Sequence, residues 1–209
     1  DGWSHHHSAG RRDAMHVESF SDLAWAVHAF GAYRLEELEH GAVRVRFVSS
    51  DYDASALEPL RSLVRRALTQ GEAWLGPLAP GELTLVVDRV GGEYEGGLVG
   101  AHGVVLSGPD LGSLRAHEMP GLVVVHELMH FWARADEPWL NEGLARLLEI
   151  EVGSAIEDLD GEAAIAELRE RVDRYHALAG ATRSVRSEST GAWPYESGLA
   201  TLLCVEAEL

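Results

Sequence analysis

Two histidines four positions apart, with a glutamate directly after the first, constrain this chain more than any other feature: His126-Glu127-Leu128-Met129-His130. On a helix, positions i and i+4 share a face, so His126 and His130 can grip one metal ion together. Glu127 sits about 100° round the same turn, where it can reach a metal-activated water without binding the metal. A zinc site that does hydrolysis keeps three protein ligands and one open position. A third ligand is therefore required, and Glu142 in Trp139-Leu140-Asn141-Glu142-Gly143-Leu144-Ala145 is the best candidate. The HExxH pattern alone arises by chance in many helices. A second acidic helix close behind it makes the signal specific.

The residues around Glu142 predict how it returns to the histidines. Pro138 is suited to open a helix, and Leu140, Leu144, Leu147 and Leu148 recur at helical spacing. Eleven residues separate His130 from Glu142. The first three finish one helix, over about 119–133, and Arg134 to Glu137 form a polar turn. Two antiparallel helices joined in this way bring Glu142 over the His pair.

HELMH followed by WLNEGLA resembles the gluzincin metallopeptidases of the aminopeptidase N clan, whose second motif carries its Glu on zinc. The short spacing is more similar to the compact peptidase MA-like branch than to aminopeptidase N itself. Pro194-Tyr195-Glu196-Ser197-Gly198 resembles a helix start of the same clan, in which a Tyr hydroxyl supports the oxyanion. The likeness covers roughly residues 98 to 209, with the three motifs in the expected order. It implies Zn2+ on His126, His130 and Glu142, Glu127 as general base, and Tyr195 as the donor to the negative charge that develops on the scissile carbonyl.

Each residue also has an ordinary structural reading. Glu142 can be a solvated acid in a helix first turn, where the dipole favours it. Tyr195 can be an aromatic packed on Trp193, and the His pair a satisfied surface pair. Asp136 is a rival third ligand, because it lies six positions after His130, where metzincins place their last one. That pattern needs Gly three residues after the second His, and Ala133 stands there. No Met follows His130 to form a Met-turn either.

The aminopeptidase N family carries on its edge strand a Glu that grips the substrate's free amine. The corresponding stretch, Gly96-Gly97-Leu98-Val99-Gly100, has no acid. Endopeptidase and aminopeptidase action both stay open on these grounds.

With 209 residues, of which 46% are hydrophobic, the chain can bury a substantial core. Its apolar runs are too short for a transmembrane span. A net charge of -17 makes nucleic acid and anionic membranes poor partners, leaving a peptide or protein substrate. Oligomeric state is unknown. The lone Cys204 rules out an internal disulfide and suits the cytoplasm, although a disulfide-free secreted protein fits equally. The chain begins at Asp1, so any signal peptide upstream is not visible.

Along the chain, residues 1–17, with His5-His6-His7, read as a flexible arm, followed by an amphipathic helix carrying Leu23, Val27 and Phe30. Val43 to Val48 alternates strictly and predicts a strand. A helix is expected over about 55–74, a strand at Leu83 to Val87, and a mobile Gly-rich loop over 91–103. Val104-Val105-Leu106 is expected to be an edge strand that binds the substrate backbone. Helices follow at 138–152, at about 161–178 with a charged, solvated face, and at 195–209. Together these predict an α+β, zincin-like layout in which residues 18–107 form a sheet-bearing lobe and 108–209 a helical one. The function expected from it is zinc-dependent peptide hydrolysis. The alternative is a binding module that keeps the zincin scaffold without turnover, against which the intact Glu127 argues.

Overall fold

A computed structural model describes residues 4–7, 28–31, 33–88, 96–100, 103–107, 111–116, 121–133, 135–157 and 159, with the single positions 166, 198 and 202. The expected helix over 161–178, apart from position 166, and the start of the Tyr195 helix lie outside these residues, as do Leu23, Val27 and Tyr195 itself.

Seven strands and three α-helices are described. Strands β1 (Ser4–His7) and β2 (His28–Gly31) pair antiparallel as a separate ribbon. The main sheet is built from β3 (Arg34–His40), β4 (Val43–Ser49), β5 (Gly81–Asp88), β6 (Gly96–Gly100) and β7 (Gly103–Ser107), in the order β3-β4-β5-β7-β6. The two central pairings, β4 with β5 and β5 with β7, are parallel, and the flanking pairs are antiparallel. Helix α1 (Glu58–Leu75) crosses between β4 and β5, while α2 (Gly121–Met129) and α3 (Pro138–Ile156) follow the sheet.

Alternation along β4 explains how the sheet takes its helices. Val43, Val45 and Phe47 are fully buried with Leu83, Leu85, Val104 and Leu106 in one core. Leu60, Leu63, Val64 and Leu68 of α1 and Val124, Val125, Leu128 and Met129 of α2 complete that core. Removing a side chain such as Phe47 from it would cost about 3–5 kcal/mol. The opposite face bears Arg44 and Arg46, which pair with Glu82, and a small cluster around Val48 and Val86.

Four sequence expectations are corrected here. His28–Gly31 is a strand, not the end of a helix with Phe30 on its face, because it gains a ladder to β1 that local periodicity cannot reveal. Ser4–His7 is likewise paired, although it lies in the stretch expected as a flexible arm. Gly96–Gly100 is a strand and not a loop; its glycines lower strand propensity but are overridden by pairing with β7. As a result β7 is interior and β6 is the edge. The complete burial of Val104 and Leu106 is what a central strand requires.

Strand β3 was not expected at all. Its charges and the three-residue spacing of Leu35 and Leu38 obscure alternation, as suits an edge strand protected by charge. Gly41, at φ 57°, opens the tight turn from β3 into β4 in a conformation that residues with a Cβ rarely adopt.

Helix α1 starts three residues later than expected because residues 54–57 form a turn, and Asp53 Oδ1 accepts the Ala56 N–H at 2.9 Å. The helix is anchored to the later elements by aromatics. A Cβ at Gly71 would meet the Trp132 ring at 2.5 Å, so glycine lets that ring pack closely against α1. The Trp132 indole N–H also donates to the Gly76 carbonyl at 3.0 Å. Among the described residues, no helix is long and apolar enough to cross a membrane.

Candidate metal centre

The turn between α2 and α3 sets the geometry of the centre. Helix α2 tightens at its end: Phe131 N–H donates to Leu128 O at 3.1 Å and Trp132 N–H to Met129 O at 3.0 Å. The chain then reverses, with Glu137 extended (φ -83°, ψ 117°) as the residue before a proline prefers. Leu140 and Asn141 N–H groups both donate to Glu137 O at 3.0 Å, opening α3. Much of the buried face of α3 is small, with Gly143, Ala145, Gly153 and Ser154, and Gly153 packs against Ala116.

This packing brings His126, His130 and Glu142 together. One ligand atom from each lies within 4.8 Å of the others, a group that could hold a metal ion. Glu142 Oε2 is 3.2 Å from His126 Nε2 and 3.5 Å from His130 Nε2. The two imidazoles stand edge to face, with centroids 5.0 Å apart and planes at 87°. Tetrahedral zinc with bonds near 2.0–2.1 Å separates its ligand atoms by about 3.3 Å, so the carboxylate lies at ligand distance from both imidazoles. Two imidazole nitrogens and one carboxylate oxygen suit zinc, whereas calcium and magnesium favour all-oxygen shells. The residues fit the ion. The rival Asp136 is exposed and is not in the group.

Three side chains that sequence reasoning did not single out surround the ligands. Glu149, fully buried, sets Oε2 2.9 Å from His126 Nδ1 and accepts from Arg146 through Oε1. Both ring nitrogens of His126 are thereby held by carboxylates of one helix. Asn141 Nδ2 lies 3.2 Å from His130 Nδ1, and its Oδ1 accepts the Ala135 N–H at 3.2 Å. A metal on His130 Nε2 leaves Nδ1 as an N–H donor; a half-turn of the Asn141 amide would present its oxygen there, in exchange for the bond from the Ala135 N–H. A glutamate directly after Leu147-Leu148, seven positions from Glu142 and so on its face of the helix, was the available clue to Glu149.

Electrostatics fit a site that exchanges protons for a cation. Burial opposes charge on His126, but hydrogen bonds to Glu142 and Glu149, and the charges of Glu149 and Glu127, outweigh it and raise its pKa to about 9. Burial acts upward on Glu142 too, yet hydrogen bonds from His126 and His130 bring it down to about 2. Without metal, His126 is thus an imidazolium between two carboxylates. Glu127 moves the other way, raised mainly by burial. A raised carboxylate is a better proton acceptor near neutrality than an ordinary one.

Of the C-terminal stretch, Gly198 is helical and buried. A Cβ there would run into the Trp139 carbonyl oxygen and come within 3.0 Å of Gly143 Cα, so the backbone at Gly198 rests directly on the first turns of α3. Tyr195 lies outside the described residues.

No family model matches the chain, and no curated protein matches it. Solved structures do. A two-domain M1 zinc metallopeptidase bound to L-arginine is similar at a TM-score of 0.62 and 17% identity, over 99% of this chain and 50% of that one. An aminopeptidase N family protein from Idiomarina loihiensis is similar at 0.60 and 16%, over 96% and 43%. LTA4 hydrolase from yeast is similar at 0.57 and 18%, over 87% and 31%. The chain therefore spans half or less of the length of these structures. Its fold is that of the aminopeptidase N clan of gluzincins, an α+β zincin-like fold.

Proposed function

We propose that the chain is a zinc-dependent metallopeptidase that hydrolyses peptide bonds, with His126, His130 and Glu142 holding one zinc ion. The observation that carries this reading is the convergence of His126, His130 and Glu142, with the carboxylate at zinc-ligand separation from each imidazole and Glu127 close enough to feel the charges of all three. The fold shared with zinc metallopeptidases supports it.

Bound there, zinc would supply Lewis acidity, polarising the scissile carbonyl and making a water more acidic. The rest falls to the side chains. Glu127 takes the proton of the attacking water and delivers it to the leaving nitrogen, a role suited to its raised pKa. Glu149 fixes the His126 ring by its contact at Nδ1, so that Nε2 faces the metal position. Tyr195 donates its hydroxyl to the developing oxyanion. Support for that role is Gly198, three positions along the chain, which lies against Gly143 beside Glu142.

Elemental analysis after mild dialysis tests the metal. The reading expects about one equivalent of zinc per chain. Less than about a tenth, with no gain on adding zinc, would overturn it.

A further inference from the structure

On helix α3, Glu142, Arg146 and Glu149 fall at i, i+4 and i+7, a spacing that puts all three on one stripe facing α2. The outer two hold opposite nitrogens of a single imidazole: Glu142 Oε2 lies 3.2 Å from His126 Nε2, and Glu149 Oε2 lies 2.9 Å from Nδ1. Glu149 has no exposed surface, so its carboxylate is shielded from bulk solvent. Its second oxygen, Oε1, is held by Arg146, whose side chain is 14% exposed and lies one turn earlier on the same helix.

We infer that Arg146 is a positioning residue for the metal centre, acting through Glu149 to fix the rotation of the His126 ring. The inference rests on the zinc reading above. A glutamate side chain has three rotatable bonds, and a carboxylate held at one oxygen only can pivot away from Nδ1. Held at Oε1 by Arg146, it can present Oε2 to His126 in one orientation. The planar guanidinium suits this task better than an ammonium, which is a point charge on a flexible stem. Outer partners of metal-bound histidines typically change metal affinity by about 10–100-fold when removed. Arg146 stands one step further out, and the same direction of effect follows.

The plain alternative is that Arg146 only stabilises the fold. Arg66 provides the comparison, because it also ties α3 to the body, donating to the Ile156 carbonyl at 2.9 Å far from the ligands. The test is zinc affinity, measured by chelator competition on folded protein, for wild type, Arg146→Met, Arg146→Lys and Arg66→Met. Cobalt(II) absorption spectra would report ligand geometry alongside.

Arg146→Met should bind zinc about tenfold or more weakly and show an altered cobalt spectrum. Arg146→Lys should recover part of the affinity, and Arg66→Met should bind zinc as wild type does even if its unfolding temperature falls. Should Arg146→Met fail to fold, the Lys variant alone decides: a wild-type affinity and spectrum would overturn the inference. Equal zinc affinity in Arg146→Met and wild type would overturn it as well, leaving the zinc reading intact. A wild-type chain that binds no zinc would overturn both.

Discussion

His126 Nδ1 lies 2.9 Å from Oε2 of Glu149, twenty-three residues further along the chain and without exposed surface. The contact makes Glu149 the outer partner of a candidate metal ligand. Replacing it with alanine should therefore lower zinc affinity by about 10–100-fold, with Glu142 and both histidines intact. Chelator competition on the folded variant measures the effect. An unchanged affinity would reduce the contact to packing.

The third ligand can be assigned by paired substitutions. Glu142→Ala should lose zinc, since it removes the carboxylate shared between both imidazoles. Asp136→Ala should keep it, because Asp136 is exposed and outside the cluster. Metal content of the two purified variants decides the matter, and zinc loss on changing Asp136 instead would reverse the assignment.

The helices of the centre were legible because their signals are local. His126 and His130 share a face by spacing alone, and the helices expected at about 119–133 and 138–152 are found at Gly121–Met129 and Pro138–Ile156. Strands β4 and β5 were legible for the same reason, in alternation and in a short apolar run. What escaped depends on contacts that no single segment reveals. The ribbon of β1 and β2, the charged edge β3 and the glycine-rich edge β6 become strands through pairing. Glu149 and Arg146 look in sequence like ordinary polar residues of an amphipathic helix. Their contacts arise only where α3 packs on α2.

Proton release should accompany zinc binding. His126 is raised from 6.5 to about 9, so at neutral pH the metal displaces its proton. Apparent affinity should rise with pH, by at most about tenfold per unit, and level off near pH 9. Titration calorimetry at pH 7 in buffers of different ionisation enthalpy should show about one proton released. In the metal-free fold the His126 contribution has the opposite sign. Stability from the raised His126 is fully present below pH 6.5 and is lost as pH rises through about 9. Stability from the depressed Glu142 is present above pH 4.5 and is lost as pH falls through about 2. Binding without proton release at pH 7 would contradict the imidazolium assignment.

Tyr195→Phe removes one hydroxyl and preserves the ring. If that hydroxyl stabilises the oxyanion, kcat should fall by about 10²–10³ with KM little changed, because the bond strengthens in the transition state. Steady-state kinetics on a folded, zinc-loaded variant measures this. Unchanged turnover would leave Tyr195 a packing residue.

Glu127 carries the central claim, since a zinc site becomes a peptidase only with a base to take the water's proton. Cleavage of a peptide library by wild type and by Glu127→Gln, each carrying equal zinc, is the most direct measurement. Wild type should cleave peptide bonds, and the Gln variant should be slower by about 10²–10⁴, because an amide cannot accept that proton. A Gln variant within a few-fold of wild type, or a zinc-loaded wild type that cleaves no peptide, would contradict the account.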